Sequence, residues 1–307
     1  MPPDWLTVCD EVAAALAAGR PVVALESTLI THGLPWPTNR DTARDAEAAV
    51  RAGGAVPATV AVWHGRPTLG LTSSQLDELA QATGVMKASR RDLGAAVGLG
   101  RTAATTVSAT MALAHAAGVR VFATGGIGGA HHATHGVSWD VSADLTELSR
   151  TPVLVVCAGA KSILDLPRTL ELLETLGVPV LGYRTDRLPR FTVTDEGNPL
   201  PVSVRVESAA EAAAAFAAHV RLGGGGALLA QPCAADIAVP ADEYDAALGR
   251  ALADADRARA HGPAATPFVL ARLAELTEGR SLTANRALIV ANARLAAAVA
   301  QAFGGKM

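Results

Sequence analysis

Cysteine, aromatic residues and net charge are all scarce in this chain of 307 residues, and each scarcity excludes a class of protein. The three cysteines are far apart and form no CxxC pair, which argues against a disulfide framework and indicates a reducing compartment. Aromatic residues make up 4% of the chain and the net charge is −3, so neither a base-stacking platform nor a broad basic surface is expected. The sequence therefore argues against a nucleic-acid-binding protein.

Signals for export and for membrane insertion are also lacking. The N-terminal sequence MPPDWLTVCDEV carries acidic residues and lacks the basic-then-apolar pattern of a signal peptide. Later apolar stretches are interrupted by Arg, Glu or His before they reach the length of a membrane span. We expect a cytoplasmic protein with no membrane-embedded segment.

What the sequence does contain is a regular alternation of strand-length apolar runs and helical stretches. The predicted buried strands are Pro21–Leu25, Thr59–Trp63, Val119–Ala123, Val153–Cys157, Val178–Leu181 and Ala227–Ala230. The predicted helices are Asp41–Ala52, Thr105–Ala117, Ser162–Leu176, Ser208–His219, Asp242–His261, Pro267–Thr277 and Ser281–Phe303. This alternation predicts an α/β fold, a mostly parallel sheet flanked by helices on both faces (α/β/α), formed as a single domain over residues 1–307. Tyr183–Val202 lacks periodicity and is predicted to be a loop or a small hairpin.

Polar or glycine-rich segments follow several of the predicted strands. They are Glu26, His64, Gly125–Gly129, Gly159–Lys161 and Gln231. In open sheets of parallel strands, ligands bind just beyond the carboxyl ends of the strands. We therefore expect the functional site to lie among these residues.

Lys161 follows the apolar run Val153–Cys157 and precedes a predicted helix. Burial and the positive end of a helix dipole both disfavour an ammonium group, so we expect the pKa of Lys161 to be lowered. A neutral lysine amine is a nucleophile that forms imines with sugar aldehydes. The chain is therefore predicted to be an enzyme with Lys161 as its nucleophile.

Glu26 and Lys87 are two further candidates. Glu26 ends an apolar run, where a raised pKa would suit general-acid catalysis; the alternative is a structural salt bridge to Arg or Lys. Lys87 precedes Arg90 and Arg91, which indicates a solvated basic turn. If Lys87 instead ends a short strand, it is a candidate for a second amine or a phosphate contact. Cys157 lies inside an apolar run and is expected to be inert.

The loop GGIGGAHH, residues 125–132, matches neither GxxxxGK[ST] nor GxGxxG. In one interpretation, its backbone N–H groups bind an anion together with Thr124 and Lys87. In the other, the loop is only a tight turn. His131, His132 and His135 fit no zinc signature, and the interpretations as polar loop residues, phosphate contacts or metal ligands stay open. Asp140 and Asp144 are both candidates for helix N-caps. In the alternative interpretation, Asp140 binds Mn²⁺ or Mg²⁺ and Asp144 forms a hydrogen bond to the substrate.

Longer motifs extend through nearly the whole chain. They are ALESTLITHGLPWP, KASRRDLG, TTVSATMALAHAAGVRVFATGGIGG, DVSADLTEL, VVCAGAKSILDLPRTLELLETLGVPVLGYRTD and TPFVLARLAELTEGRSLTANRALIVANARLAA. Together these segments resemble the pseudouridine-5′-phosphate glycosidase family, and the segment around Lys161 is highly specific. The resemblance implies an α/β/α fold, a homotrimer, a divalent cation, typically Mn²⁺, and reversible cleavage of pseudouridine 5′-phosphate into uracil and ribose 5-phosphate.

Position by position, the resemblance assigns the nucleophile to Lys161, the proton donor to Glu26 and the metal-binding carboxylate to Asp140. The implied substrate contacts are Lys87, Val107, Ser142, Ala143 and Asp144, and the implied nucleobase contact is Asn285. The implied mechanism joins Lys161 to the ring-opened ribose while Glu26 protonates the uracil carbon.

One departure from the family pattern motivates an alternative function. Residues 230–236 read AQPCAAD, where the family usually has Asn-Pro-Ile-Pro, while the Lys161 and sugar-phosphate motifs are intact. The alternative is a C-glycosynthase that joins ribose 5-phosphate to a different base or aromatic acceptor in natural-product biosynthesis. Two other hypotheses are less favoured. A non-catalytic sugar-phosphate-binding protein would not need an amine suited to imine chemistry. The hypothesis of a Schiff-base aldolase rests on Lys161 alone.

Overall fold

The computed structural model describes residues 2–132, 140–195, 197–260 and 265–303. Its strands are β1 (Thr7–Val8), β2 (Val22–Leu25), β3 (Val56–Trp63), β4 (Arg66–Leu69), β5 (Met86–Ala88), β6 (Ala103–Thr105), β7 (Val121–Ala123), β8 (Leu154–Cys157), β9 (Val180–Tyr183), β10 (Val204–Val206) and β11 (Ala227–Ala230). Its α-helices are α1 (Asp10–Ala17), α2 (Thr38–Ala52), α3 (Ser73–Gln81), α4 (Leu93–Gly98), α5 (Val107–Ala116), α6 (Ala143–Arg150), α7 (Leu166–Thr175), α8 (Ala209–Arg221), α9 (Ala241–Arg257), α10 (Ala265–Leu276) and α11 (Arg280–Phe303).

The strands of the described residues form one eleven-stranded sheet. Its main path runs β1-β4-β3-β2-β7-β8-β11-β9-β10, with β6 paired to β3 and β5 to β6. Two pairings, β3–β4 and β3–β6, are antiparallel, and the other pairings are parallel. The predicted mostly parallel α/β sheet is therefore confirmed, whereas the assignment of one domain to residues 1–307 stays a prediction.

Two apolar clusters cover the two faces of this sheet. Successive side chains of a strand point to opposite faces, so Val155 of β8 belongs to one cluster and Val156 to the other. The first cluster also contains residues of α1, α5, α6, α7, α9 and α10. The second contains residues of α2, α8 and α11. The central strands are therefore buried on both sides, which leaves their carboxyl ends as the place for a ligand site.

The helix predicted from Ser162 was wrong in its start, because α7 begins at Leu166. The Asp165 side chain caps α7 by accepting a hydrogen bond from Arg168 N at 3.1 Å, and Pro167 lies in the first turn. Proline lacks an N–H group and disfavours helical backbone in the residue before it, so it is tolerated only at such a start. Lys161 consequently lies in the loop before α7, and the helix-dipole argument does not apply to it.

Helix α11 is long and apolar enough to cross a membrane, by length and composition only. The expectation that interruptions keep every apolar stretch below that length was therefore wrong for this helix. Half of its apolar stretch is buried inside the fold, and Leu288, Ile289 and Ala296 belong to the second apolar cluster. These contacts are typical of a core helix.

The segment predicted to be a loop or a small hairpin does form a hairpin-like turn. Arg187 and Pro201 form an antiparallel bridge, and Leu188 N donates to Leu200 O at 2.9 Å. Phe191 in this turn has a positive φ of 59°, and its N–H donates to Ala158 O at 3.0 Å. This hydrogen bond fixes the turn against the loop that leads from β8 to Lys161.

Candidate active site

The carboxyl ends of β2, β7 and β8 bring three of the predicted site segments together. These strands are parallel neighbours, so Glu26, the Gly125–Gly129 loop and Lys161 emerge at the same edge of the sheet. Backbone hydrogen bonds join the last two directly: Lys161 N donates to Ile127 O at 3.0 Å, and Ala158 N donates to Gly125 O at 2.9 Å.

The glycines of these loops permit the close packing. A methyl group on Gly126 would lie 2.8 Å from the Phe191 ring. Gly159 has a positive φ of 81°, and a side chain there would clash with the Pro189 carbonyl oxygen. The GGIGG segment is thus a tight turn; whether it also binds an anion stays a prediction.

Glu26 is buried, with 6% of its surface exposed, and two hydroxyl groups hold its carboxyl. Thr28 Oγ1 donates to Glu26 Oε2, and Thr124 Oγ1 donates to Glu26 Oε1. The described residues place no arginine or lysine in an ion pair with Glu26, so the alternative of a structural salt bridge is not supported. The Thr124 hydroxyl, which the sequence predicts as an anion contact, donates to Glu26 in the structure.

Lys87 lies in the middle of β5, which pairs with β6 and faces Ala104 in register. Burial lowers the pKa of Lys87 and the positive charge of Lys161 lowers it further, whereas Glu26 and Asp144 raise it. The charges of these four side chains therefore act on one another across the site. Arg91 behaves as the predicted solvated residue, since its side chain is 85% exposed.

Lysine itself is rare in this protein, which makes the pair at the site more significant. The chain has only Lys87, Lys161 and Lys306, although lysine and arginine together number 26. Arginine supplies positive charge equally well, but its guanidinium does not deprotonate and so cannot act as an amine nucleophile. Two of the three lysines therefore lie close enough for their charges to interact.

Histidine also lies beside this pair. Burial lowers the pKa of His32, and the charge of Lys87 lowers it further. Burial likewise lowers the pKa of His131, with further lowering by His132, Lys161 and Lys87 and a raising effect from Asp140. Both rings are therefore mainly neutral near pH 7 and can accept as well as donate a hydrogen bond.

Asp144 ties the glycine-rich loop to the start of α5. It is 5% exposed, and its carboxylate accepts from Ser108 N at 3.0 Å and from Gly128 N at 2.8 Å. The N-cap of α6 is Ser142, whose Oγ accepts from Asp144 N at 3.2 Å, so the N-cap alternative for Asp144 was wrong. Val107, the first residue of α5, is buried at 1% exposure, and Ala143 is exposed.

Replacing Asp144 by alanine is expected to lower the free energy of unfolding by roughly 3 kcal/mol, because the buried N–H of Ser108 and the partly buried N–H of Gly128 lose a charged acceptor. Chemical denaturation followed by circular dichroism measures this loss. Asp77→Ala is the control, since Asp77 forms an exposed ion pair with Arg44 and exposed pairs contribute about 1 kcal/mol or less. Equal losses in the two variants would contradict the assigned role of Asp144.

Asp140 is exposed and lies next to His131. His131 N donates to Asp140 O at 3.0 Å, and Ala130 forms an antiparallel bridge with Val141. Within the described ranges no three His, Cys, Asp or Glu side chains group as a metal site. One carboxylate suits a divalent ion that keeps most of its water ligands, as Mg²⁺ and similar hard cations do, and not a fully protein-bound zinc. His132 is exposed, and His135 lies outside the described residues.

A cavity of about 520 Å³ opens beside these groups. Its walls are mostly apolar and come from the Leu34–Pro35 turn, Phe191, α10 and the start of α11. Its polar lining includes His32 and Asn285, and the Oδ1 atom of Asn285 lies 3.3 Å from where a Cβ of Gly125 would be. Asn285 thus lies between the cavity and the Gly125–Gly129 loop, and its role as a nucleobase contact stays a prediction.

Several residues at the site carried no signal in the sequence. Thr28, Asn292 and Tyr244 are ordinary residues in their segments, and no motif distinguishes them. Tyr244 Oη accepts a hydrogen bond from Ser162 Oγ at 2.6 Å, and burial raises the pKa of Tyr244 to about 12. Cys157 is fully buried and burial raises its pKa to about 12, in agreement with the expected inert role.

Comparison with known proteins adds relatives that match nearly the full length. The model of the indigoidine synthase A like protein family matches residues 11–302. Pseudouridine-5′-phosphate glycosidase of Herpetosiphon aurantiacus is 56% identical over 97% of this chain and 98% of that protein. The protein of the same name from Nocardioides sp. is 52% identical over 99% and 98% of the two chains.

Solved structures share the fold as well as the sequence. The prealnumycin C-glycosynthase AlnA, solved in complex with ribulose 5-phosphate, is 42% identical, with a TM-score of 0.90 over 99% of this chain and 98% of that one. An indigoidine synthase A-like protein from Thermotoga maritima is 33% identical, with a TM-score of 0.86 over 96% and 95% of the two chains.

Proposed function

The chain belongs to the pseudouridine-5′-phosphate glycosidase family, and from this premise we propose that it reversibly cleaves pseudouridine 5′-phosphate into uracil and ribose 5-phosphate. The observation that carries the proposal is the meeting of Lys161, Lys87 and Glu26 at one edge of the sheet. The C–C bond to be broken offers no oxygen or nitrogen for a general acid to protonate at C1′, so a two-carboxylate mechanism does not suffice.

Lys161 provides the covalent step. The C1′–O4′ bond of the ribose breaks, O4′ takes up a proton, and the amine of Lys161 forms a bond to C1′. Glu26 transfers its proton to C5 of the uracil ring. The C1′–C5 bond then breaks, its electron pair passes to the ring, and the nitrogen lone pair forms a C=N bond. Water adds to C1′, releases ribose 5-phosphate and restores the amine.

The second lysine serves the sugar phosphate. Lys87 is half-buried, and its ammonium group would gain charge-assisted contacts with a bound phosphate. Binding energy from the phosphate can hold the flexible open-chain sugar, because this group remains unchanged during the reaction. The sugar-phosphate half of the site also contains the other proposed substrate contacts, Val107, Ser142, Ala143 and Asp144. Asn285 is proposed to contact the uracil ring in the other half.

A divalent cation, Mn²⁺ or a similar ion, is proposed to bind at Asp140. Its charge would stabilise negative oxygen atoms of the sugar or its phosphate when it is bound. Asp140 would hold it through one carboxylate, with water in most other positions, and His131 would stay a polar neighbour.

Replacing Asp140 by alanine is expected to abolish the binding of Mn²⁺ and to lower uracil release by roughly 10²-fold. Binding is measured by the electron paramagnetic resonance signal of free Mn²⁺ during titration, and turnover is measured with and without EDTA. Asp77→Ala, at the exposed ion pair with Arg44, serves as a control for loss of surface charge. Full wild-type activity in EDTA would refute the metal assignment.

We further propose a homotrimer in the cytoplasm. The trimer follows from the family resemblance, and the cytoplasmic location accords with three cysteines that are free in the structure. Light scattering coupled to size-exclusion chromatography measures the assembly, and a mass other than three chains would refute it.

A second candidate function is C-glycosynthase activity with a larger aromatic acceptor. It is favoured by the mostly apolar cavity of about 520 Å³ and by the similarity to the prealnumycin C-glycosynthase. Cavities of this size bury drug-sized ligands. The sugar-phosphate half of the site and the Lys161 chemistry would be the same in both directions.

One paired experiment tests these functions. The protein is incubated with ribose 5-phosphate and borohydride for mass spectrometry, and uracil release from pseudouridine 5′-phosphate is assayed in parallel. An adduct on Lys161 with rapid uracil release supports the glycosidase. An adduct with negligible release supports the synthase with another acceptor. Neither adduct nor release would refute the mechanism and leave a sugar-phosphate-binding protein.

A further inference from the structure

Asn292 is a polar residue in the most apolar part of α11. It is fully buried, and its neighbours along the helix, including Ile289 and Leu295, belong to the second apolar cluster. Its Nδ2 donates to Thr124 O at 2.9 Å and to Gly125 O at 3.4 Å, while its Oδ1 has no partner among the described residues. A buried polar atom without a partner costs free energy, so an amide retained here calls for a compensating role.

The carbonyl that Asn292 holds belongs to the residue that contacts Glu26. Thr124 is 1% exposed, and its N–H donates to Val156 O at 3.0 Å. Its backbone is therefore fixed by β8 on the N–H side and by α11 on the carbonyl side. The Thr124 hydroxyl, carried on this fixed backbone, donates to Glu26 Oε1.

We propose that Asn292 is a positioning residue for Glu26 and that it acts through Thr124. The proposal rests on the proposed function in one respect, which is that Glu26 donates the proton to the uracil carbon. Proton transfer to carbon requires a donor held at close range and in a defined direction. Thr28 fixes one carboxyl oxygen of Glu26, and the chain from Asn292 through Thr124 fixes the other.

Substitutions along this chain test the proposal. Thr124→Val removes the hydroxyl and keeps the shape, and it is expected to lower kcat for uracil release by on the order of 10²-fold with little change in KM. Thr124→Ser keeps the hydroxyl and is expected to restore most of the rate. Asn292→Leu is expected to lower kcat by about 10-fold. Borohydride trapping of ribose 5-phosphate on Lys161 should remain as in the wild type, because it needs no proton transfer to uracil.

Thr151→Val is the matched control. Thr151 is a second buried threonine whose hydroxyl donates to a buried glutamate, Glu147, at 2.5 Å. It precedes β8, whereas Lys161 follows β8, so it lies at the opposite edge of the sheet. Turnover in Thr151→Val should equal that of the wild type. Equal losses in the Thr124 and Thr151 variants, or equal losses of trapping and turnover, would overturn the proposal.

A spectroscopic measurement separates this proposal from the proposed function. The Glu26 carboxyl resonance is followed at constant pH by ¹³C NMR with labelled glutamate and assigned by its loss in Glu26→Gln. The chemical shift of a carboxyl carbon depends on its hydrogen-bond donors, so Thr124→Val and Asn292→Leu should move this resonance, whereas Thr151→Val should leave it in place. If the wild type releases no uracil, the proposed function fails while this shift still tests the positioning. An unmoved resonance in both variants overturns it.

Discussion

Replacing Lys161 by alanine is expected to abolish uracil release, with a loss of 10³-fold or more, roughly the scale seen when a nucleophile is removed. The reason is that the nitrogen lone pair of Lys161 forms the C=N bond to C1′ as the C1′–C5 bond breaks, whereas Lys87 is assigned to the phosphate. Sugar-phosphate binding should persist, because Lys87 and the loop N–H groups remain. Mass spectrometry after borohydride treatment measures the adduct, and isothermal titration with ribose 5-phosphate measures the binding.

The rarity of lysine makes this experiment unusually clear. With only three lysines in the chain, a reduced adduct can be assigned to one of three peptides. Lys161→Arg and Lys87→Arg form a matched pair, since both keep the positive charge and remove the amine. We expect the first to lose the adduct and the second to keep it, with weaker binding of the phosphate. An adduct on Lys87 in Lys161→Arg would show that the nucleophile was misassigned.

The main elements of the fold were predictable because their periodicity is strong. The apolar runs that became β2, β3, β7, β8, β9 and β11 are buried on both faces and read as continuous apolar segments. Short strands such as β1 and β5 were missed, since two or three residues carry no periodic pattern. The start of α7 was misplaced because apolar residues continue through the loop, and only Asp165 and Pro167 mark the boundary.

The site was predictable in its reacting groups and not in their supports. Glu26 and Lys161 follow buried strands, and that position alone indicates a ligand site in a parallel sheet. Asn292 and Tyr244 act on residues more than 80 positions away in sequence, and no local pattern reports such contacts. Asp144 illustrates a further limit, because a carboxylate near a helix start reads as a cap until the backbone N–H groups of Ser108 and Gly128 are placed.

Replacing Glu26 by glutamine is expected to lower uracil release by roughly 10²- to 10⁴-fold, the range for loss of a general acid. Glutamine keeps the size of the side chain, and its carbonyl oxygen can accept from one of the two threonine hydroxyls while its NH2 group donates to the other. It has no acidic proton to give to the uracil carbon. The adduct of Lys161 with ribose 5-phosphate should still form. In deuterated water the wild type should release uracil that carries deuterium at C5, and Glu26→Gln should release little of it.

Glu47 provides the control for a partly buried glutamate that has no part in the reaction. It lies on α2 and accepts from Thr59 Oγ1 at 2.5 Å, and burial raises its pKa. Both glutamates accept from a threonine hydroxyl away from bulk solvent, but Glu26 alone follows a strand at the edge that carries Lys161. Glu47→Gln should turn over at the wild-type rate. If the two variants lose the same activity, the effect of Glu26 is one of stability, and the proton must come from another group.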